Sequence, residues 1–190
     1  MANITLGSIE KVGLREVWKH EALDFTRWLA REENLSLLGD AVGIDLELQE
    51  TESAVGGFSV DVFATESGTG KRIVIENQLE ETNHDHLGKI ITYAAGKGAQ
   101  YVIWVVARAR DEHRQAIEWL NQHTDEDSSF FLVEIEVWRI GDSLPAPRFN
   151  VVESPNEWAK SEKTKTGLSE TQRMQVEYWQ QYREAALSPA

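Results

Sequence analysis

The sequence predicts an α/β domain with a mixed central sheet and helices on both faces. Three observations carry this. The apolar period alternates between helical and strand-like in the order α-β-β-β-α-β-α-β. One segment, Tyr101-Val-Ile-Trp-Val-Val-Ala107, is apolar throughout, as expected of a strand at a sheet centre covered on both sides. The chain has 190 residues, 41% of them hydrophobic, which fits one core with a short tail.

Residues 15–38 are expected to form the first helix, with Trp18, Leu23 (or Ala22), Phe25, Trp28, Leu29 and Leu37 near one face and Gly39 as its stop. In residues 44–52, Ile44, Leu46 and Leu48 alternate with Asp45, Glu47 and Gln49, the pattern of a half-buried strand. Gly56-Gly57 breaks it. Residues 58–65 and 72–79 are the next two strands, joined by the turn-forming Glu66-Ser-Gly-Thr-Gly-Lys71.

Thr82 or Asn83 caps a helix reaching about Gly96, with Leu87, Ile90, Ile91 and Ala94 inward. After the apolar strand, residues 111–123 form a second covering helix with Ala116, Ile117 and Leu120 inward, and residues 130–140 the last strand. Residues 141–160 hold three of the four prolines and read as loop; 160–167 is a polar linker and 168–186 a short amphipathic helix. The expected division is a domain over 1–158 followed by linker and C-terminal helix over 159–190.

Composition narrows the function. No apolar run approaches the ~18 residues of a membrane helix, and the first 19 residues lack a signal-peptide pattern. The absence of cysteine removes disulfides, thiolate zinc sites and cysteine nucleophiles. A cytoplasmic protein with no membrane partner is expected. The net charge of −13 argues against a passive nucleic-acid coat, which needs surplus Lys and Arg. It leaves room for an enzyme that meets nucleic acid through a metal and a local basic face. The acidic excess is greatest over residues 41–80. Residues 81–120 are neutral overall and carry Lys89, Lys97, Arg108, Arg110 and Arg114, the expected surface for a polyanion.

The chemistry-bearing segment is Phe58-Ser-Val-Asp61 with Ile75-Glu76-Asn77-Gln78. A regular hairpin centred between Gly68 and Thr69 sets Thr65 against Arg72, Phe63 against Val74 and Asp61 against Glu76. Ser59, Asp61 and Phe63 then share a face with Val74, Glu76 and Gln78. Carboxylates roughly 5 Å apart repel by about 3 kcal/mol at an effective dielectric of ~20. A shared proton, a bound cation or another register would relieve this. Oxygen ligands so spaced suit magnesium or manganese, which take one or two carboxylates and retain water. The competing reading is a solvent-facing edge hairpin whose charges diverge.

At these residues the chain resembles the PD-(D/E)XK nuclease superfamily, whose core order is α-β-β-β-α-β. Asp61 matches the second-strand Asp, and Glu76-Asn77-Gln78 the (D/E)-x-K tripeptide with Gln in place of Lys. The sequence is also similar to an uncharacterised prokaryotic group within that superfamily. The similarity lies in Trp18-Lys-His-Glu21-Ala-Leu-Asp-Phe-Thr-Arg-Trp28-Leu, Ile75-Glu-Asn-Gln-Leu79, His84-Asp-His86-Leu-Gly-Lys-Ile-Ile-Thr-Tyr93-Ala-Ala, and Asp111-Glu-His-Arg114 with Trp119-Leu-Asn121. Such proteins often continue into a further C-terminal domain, whose opening residues 168–186 resemble.

The resemblance implies a restriction-endonuclease-like core and cleavage of phosphodiester bonds, chiefly of DNA, with Mg²⁺ or Mn²⁺ as cofactor. Asp61, Glu76 and the backbone carbonyl of Asn77 would hold the metal. Glu21 would be the first-helix acid, with Glu16 as the alternative, and Gln78 would position the attacking water. His86, Lys89 and Tyr93 would line the substrate side, on a stripe with Lys97 opposite Leu87, Ile91 and Ala94. A homodimer would cut two strands. The alternative is a catalytically weak or inactive nuclease fold used for binding or assembly, a reading kept alive by Gln78 and the acidic charge.

Other motifs carry less. His84 and His86, two apart on a helix, diverge by roughly 200° and do not chelate together. Trp104, Trp119 and Trp138 lie in patterns expected of a core. Gly68-Thr-Gly70-Lys71 lacks the length of a phosphate loop, and no serine sits in a hydrolase elbow.

Overall fold

A computed structural model of the protein describes residues 6–125 and 127–155. The linker and helix expected over 159–190 lie outside the described residues. The elements run β1 (Ile9–Val12), α1 (Leu14–Val17), a π-helical turn (Glu21–Thr26) leading into α2 (Arg27–Leu29), α3 (Glu32–Val42), β2 (Leu46–Val55), β3 (Phe58–Glu66), β4 (Arg72–Glu81), α4 (His84–Lys97), β5 (Tyr101–Arg108), α5 (Asp111–His123), β6 (Ser129–Ile140) and β7 (Ala146–Glu153).

Seven strands form one sheet in the order β1-β6-β5-β4-β3-β2, with β7 also on β6. The pairs β4–β5 and β5–β6 are parallel and the remainder antiparallel, which makes the expected mixed sheet. The apolar strand β5 lies between β4 and β6, buried from Tyr101 to Val106. On one face Val102, Trp104, Val106, Phe130 and Leu132 pack against Ile90 of α4 and Ile117 of α5. On the other, the Asn77 side chain of β4 meets Thr26 of the π turn. Among the described residues, no helix is long and apolar enough to cross a membrane.

The first helix is not continuous. Trp18 and His20 are extended and Arg31 opens a new N-terminus, so the expected 15–38 helix falls into four pieces. The break folds Trp18 onto Phe25 and Trp28, with ring centroids 4.9 and 4.7 Å away. It also shifts the helical phase: Leu35 and Leu38 are buried, whereas Leu23 and Leu37 are exposed. Gly39 is not the stop. The helix runs past it to a left-handed Gly43 cap, and a Cβ on Gly39 would lie 2.6 Å from the Ile44 carbonyl oxygen.

The segment expected as loop after β6 contains β7, antiparallel to β6. Pro147 lies within β7, an edge strand, where proline is tolerated; Pro145 and Pro155 flank it. Strand β1, four residues long, was too short to show an alternating pattern and pairs Ile9–Val12 with Val137–Ile140. Trp104 is fully buried as expected; Trp119 is not, and stacks at the surface on His123, 4.5 Å away. Trp138 is half-buried.

Candidate active site

The β3–β4 ladder has the expected register, Thr65 to Arg72, Phe63 to Val74 and Val62 to Ile75, and ends there. The next pair in this register is Asp61 and Glu76. Here the Asp61 side chain intervenes: its Oδ2 accepts a 2.7 Å hydrogen bond from the Asn77 backbone N–H. Strand β4 continues in parallel with β5, pairing Glu76 with Trp104. The carboxylate of Asp61 thus marks where β3 leaves β4, and Glu76 stands at the same level with only 3% of its surface exposed.

Burial raises the Asp61 pKa to about 7; the Asn77 N–H opposes this, and the charges of Glu52 and Glu21 add to it. Burial, and then the charge of Asp61, raises Glu76 to about 8. The Lys89 ammonium, 3.7 Å from Glu76 Oε1, offsets part of the rise. The second oxygen, Glu76 Oε2, is buried without a hydrogen-bond partner. At neutral pH, therefore, the two carboxylates retain a proton or require a cation.

The fit to a hard divalent ion follows from those observations. The unpartnered Glu76 oxygen and the under-neutralised pair supply the oxygen donors and negative charge that Mg²⁺ or Mn²⁺ takes. Among the described residues no three His, Asp or Glu side chains form a ready cage. The side-chain donors on offer at this point are therefore the two carboxylates of Asp61 and Glu76.

Of the two acids on the first helical segment, Glu21 approaches the pair. Its Oε2 accepts from the Leu79 N–H at 2.5 Å, and its charge acts on both Asp61 and Glu76. Glu16 instead turns back to accept from the Gly13 N–H of its own helix start. The π turn begins at Glu21 and buries Phe25 and Thr26 at its other end, which fixes the turn against the sheet. A π turn widens the helix locally and is enriched at functional positions.

Gln78 is buried beside Glu76, its Nε2 donating to the Glu81 carbonyl at 2.7 Å and its Oε1 without a partner. Asn77 points to the opposite face, where its Nδ2 donates to Thr26 Oγ1 at 3.0 Å.

The stripe of His86, Lys89, Tyr93 and Lys97, expected to line the substrate side, is not on the far side of α4 from the core. It lies towards the sheet together with Ile90, and Ile91 is exposed. The phase is set by the Asn83 cap, whose side chain accepts from the His86 N–H. Burial, then Lys89, lowers the His86 pKa; burial, then Glu76, Asp61 and Glu52, raises that of Tyr93. Lys97 donates to Ser53 at 2.6 Å and lies over the Phe63 ring.

The basic residues expected to meet a polyanion are largely engaged. Arg108 and Arg110 pair with Glu81, and Arg114 with Glu118 and Glu153. Their positions were legible but their partners were not, since those come from other strands and turns.

One acidic residue escaped the sequence reading. Glu52 of β2 lies between the pairs Thr51–Val62 and Ser53–Val60, which places it across from Asp61. The signal was available: Glu52 and Asp61 are equidistant from the Gly56-Gly57 turn, just as Asp61 and Glu76 are from Gly68-Thr69.

Two solved structures show partial likeness. A repair endonuclease from Pyrococcus abyssi gives a TM-score of 0.41 at 13% identity, over 50% of this chain and 41% of that one. A structure of EndoMS with dsDNA gives 0.35 at 17% identity, over 47% of this chain and 41% of its own. The chain thus spans about two fifths of their length. No family model matches the sequence, and no curated protein does.

Proposed function

We propose that the protein is a divalent-cation-dependent nuclease that hydrolyses phosphodiester bonds, with DNA as substrate. The observation that carries the reading is the Asp61–Glu76 pair: two carboxylates in register, both disfavoured as anions, with a buried, unpartnered oxygen between strands that separate at this point. Mg²⁺ or Mn²⁺ would be held by Asp61 and Glu76, with the Asn77 backbone carbonyl as a further donor. Bound there, it would polarise a phosphoryl oxygen and lower the pKa of a water.

The chain's own groups divide the remaining work. Gln78, fixed through Nε2, presents Oε1 as an acceptor that orients a water without taking its proton. Lys89 offers positive charge beside Glu76, where a phosphate would acquire negative charge in the transition state. Glu21 holds β4 through the Leu79 N–H. Tyr93, packed against Val60 and Val74, would supply a phenol and His86 a ring held neutral by burial, both on the substrate side. For a chain of net charge −13, a cation held by Asp61 and Glu76 would also offset the charge of the nearby Glu21 and Glu52 and so ease the approach of a phosphate.

A second reading, a nuclease fold retained for binding or assembly, is favoured by one observation. Gln78 stands where the resembling enzymes have a Lys, and its amide nitrogen is already committed to Glu81. Cleavage of plasmid and single-stranded DNA with Mg²⁺, Mn²⁺ or EDTA separates the two, with Asp61→Asn run alongside. Metal-dependent cutting lost in the variant supports the nuclease. No cutting with any metal, and no Mn²⁺-dependent rise in Tm, refutes it.

A further inference from the structure

We propose that Glu52 is a positioning residue of this site, accepting hydrogen bonds from the water shell of the cation that Asp61 and Glu76 hold; the inference rests on the cation-dependent reading above. Across β2, β3 and β4 the register sets Glu52, Asp61 and Glu76 at one level on three neighbouring strands. The Ser59 hydroxyl donates to Glu52 Oε2 at 3.2 Å. The Glu52 charge acts on both Asp61 and Tyr93, which agrees with its place at the Asp61 end of the row.

Its backbone is unusual. With φ at 52°, Glu52 is the one non-glycine residue in the left-handed region among the described residues. A glutamate gains nothing locally from that conformation, and it persists only where the surroundings impose it. The bulge between Leu48 and Glu50 precedes it and reorients this stretch of β2.

The buried and unpartnered Oε2 of Glu76 is the independent sign that the row receives a ligand. A small hard cation bound by two carboxylates keeps several waters, and those waters need acceptors. Glu52 is exposed, at the open end of the row, where it suits contact through water. Three direct carboxylate ligands do not converge, in agreement with that role.

The test uses the whole chain and Mn²⁺ alone, with free Mn²⁺ followed by its EPR signal. Glu52→Gln keeps the shape and removes the charge; Glu52→Gly removes the carboxylate and frees the backbone. Both should weaken Mn²⁺ binding by about tenfold, a loss usual for groups that orient a metal's ligands. Glu52→Gly should in addition raise the Tm of the metal-free protein. Unchanged Mn²⁺ affinity in both variants, with Tm altered, would make Glu52 structural and overturn the inference while leaving the cation site intact. Failure of the wild type itself to bind Mn²⁺ would overturn the underlying reading, and this inference with it.

Discussion

Asp61 accepts the backbone N–H of Asn77 at the level where its own strand stops pairing with β4. A side chain has taken the place of a ladder carbonyl, and Asp61 thereby contributes both to the fold and to the charge beside Glu76. A substitution at Asp61 therefore has to preserve an acceptor if chemistry is to be separated from structure.

Asp61→Asn meets that requirement, since its amide oxygen still receives the Asn77 N–H. Removing the charge relieves repulsion on Glu76, so the metal-free variant should melt a few degrees higher at pH 8. Cleavage should fall by at least about 100-fold, the scale of losing a principal transition-state electrostatic group, and the Mn²⁺-induced rise in Tm should vanish. Differential scanning fluorimetry and plasmid nicking read these effects. A lower Tm in the metal-free variant would show that the charge stabilises the fold.

Stability of the metal-free protein should fall as pH rises. Asp61 and Glu76 titrate near 7 and 8 when folded, above their ordinary values, so the folded state holds protons that the unfolded chain releases above about pH 4. The unfolded state binds fewer protons through this window, and stability is lost from about pH 4 up through about pH 8. Urea midpoints at pH 5.5 and 8 should differ in that direction for the wild type and differ less for Asp61→Asn. Saturating Mg²⁺ should narrow the wild-type difference.

Phe25→Ala should affect the site from a distance. Phe25 is fully buried against Trp18 and Trp28 at the end of the turn that Glu21 opens. The substitution should cost about 3–5 kcal/mol and lower Mn²⁺ affinity as Glu21 loses its hold on Leu79. Phe25→Leu should recover most of both. Denaturant titration and EPR would report them separately.

Gly39→Ala should destabilise without touching chemistry. The added Cβ meets the Ile44 carbonyl oxygen at 2.6 Å, a backbone atom that cannot swing aside. A loss of about 1–3 kcal/mol is expected, with cleavage per folded molecule unchanged.

The hairpin was legible because the turn over residues 66–71 fixes its register and the side chains alternate with period two. Asp61, Glu76 and Gln78 followed from that arithmetic, whereas the cap was narrowed only to Thr82 or Asn83 by residue type, and Asn83 fills it. The first helix was not legible in the same way: its apolar spacing is compatible with one continuous helix, and the break at Trp18–His20 is decided by aromatic packing among Trp18, Phe25 and Trp28. The inward face of α4 was legible in Leu87, Ile90 and Ala94 but not in Ile91, which is exposed because Lys89, Tyr93 and Lys97 turn towards the sheet. Only the buried Glu76, the Ser53 hydroxyl and the Phe63 ring explain why they turn towards the sheet.

The ion pairs of Arg108, Arg110 and Arg114 have a consequence for how a polyanion would be held. Guanidinium groups already matched to carboxylates displace few condensed counterions when a duplex arrives. A nuclease built in this way would show a shallow dependence of binding on ionic strength. Its grip on the phosphate chain would be tuned by the concentration of divalent metal rather than by monovalent salt.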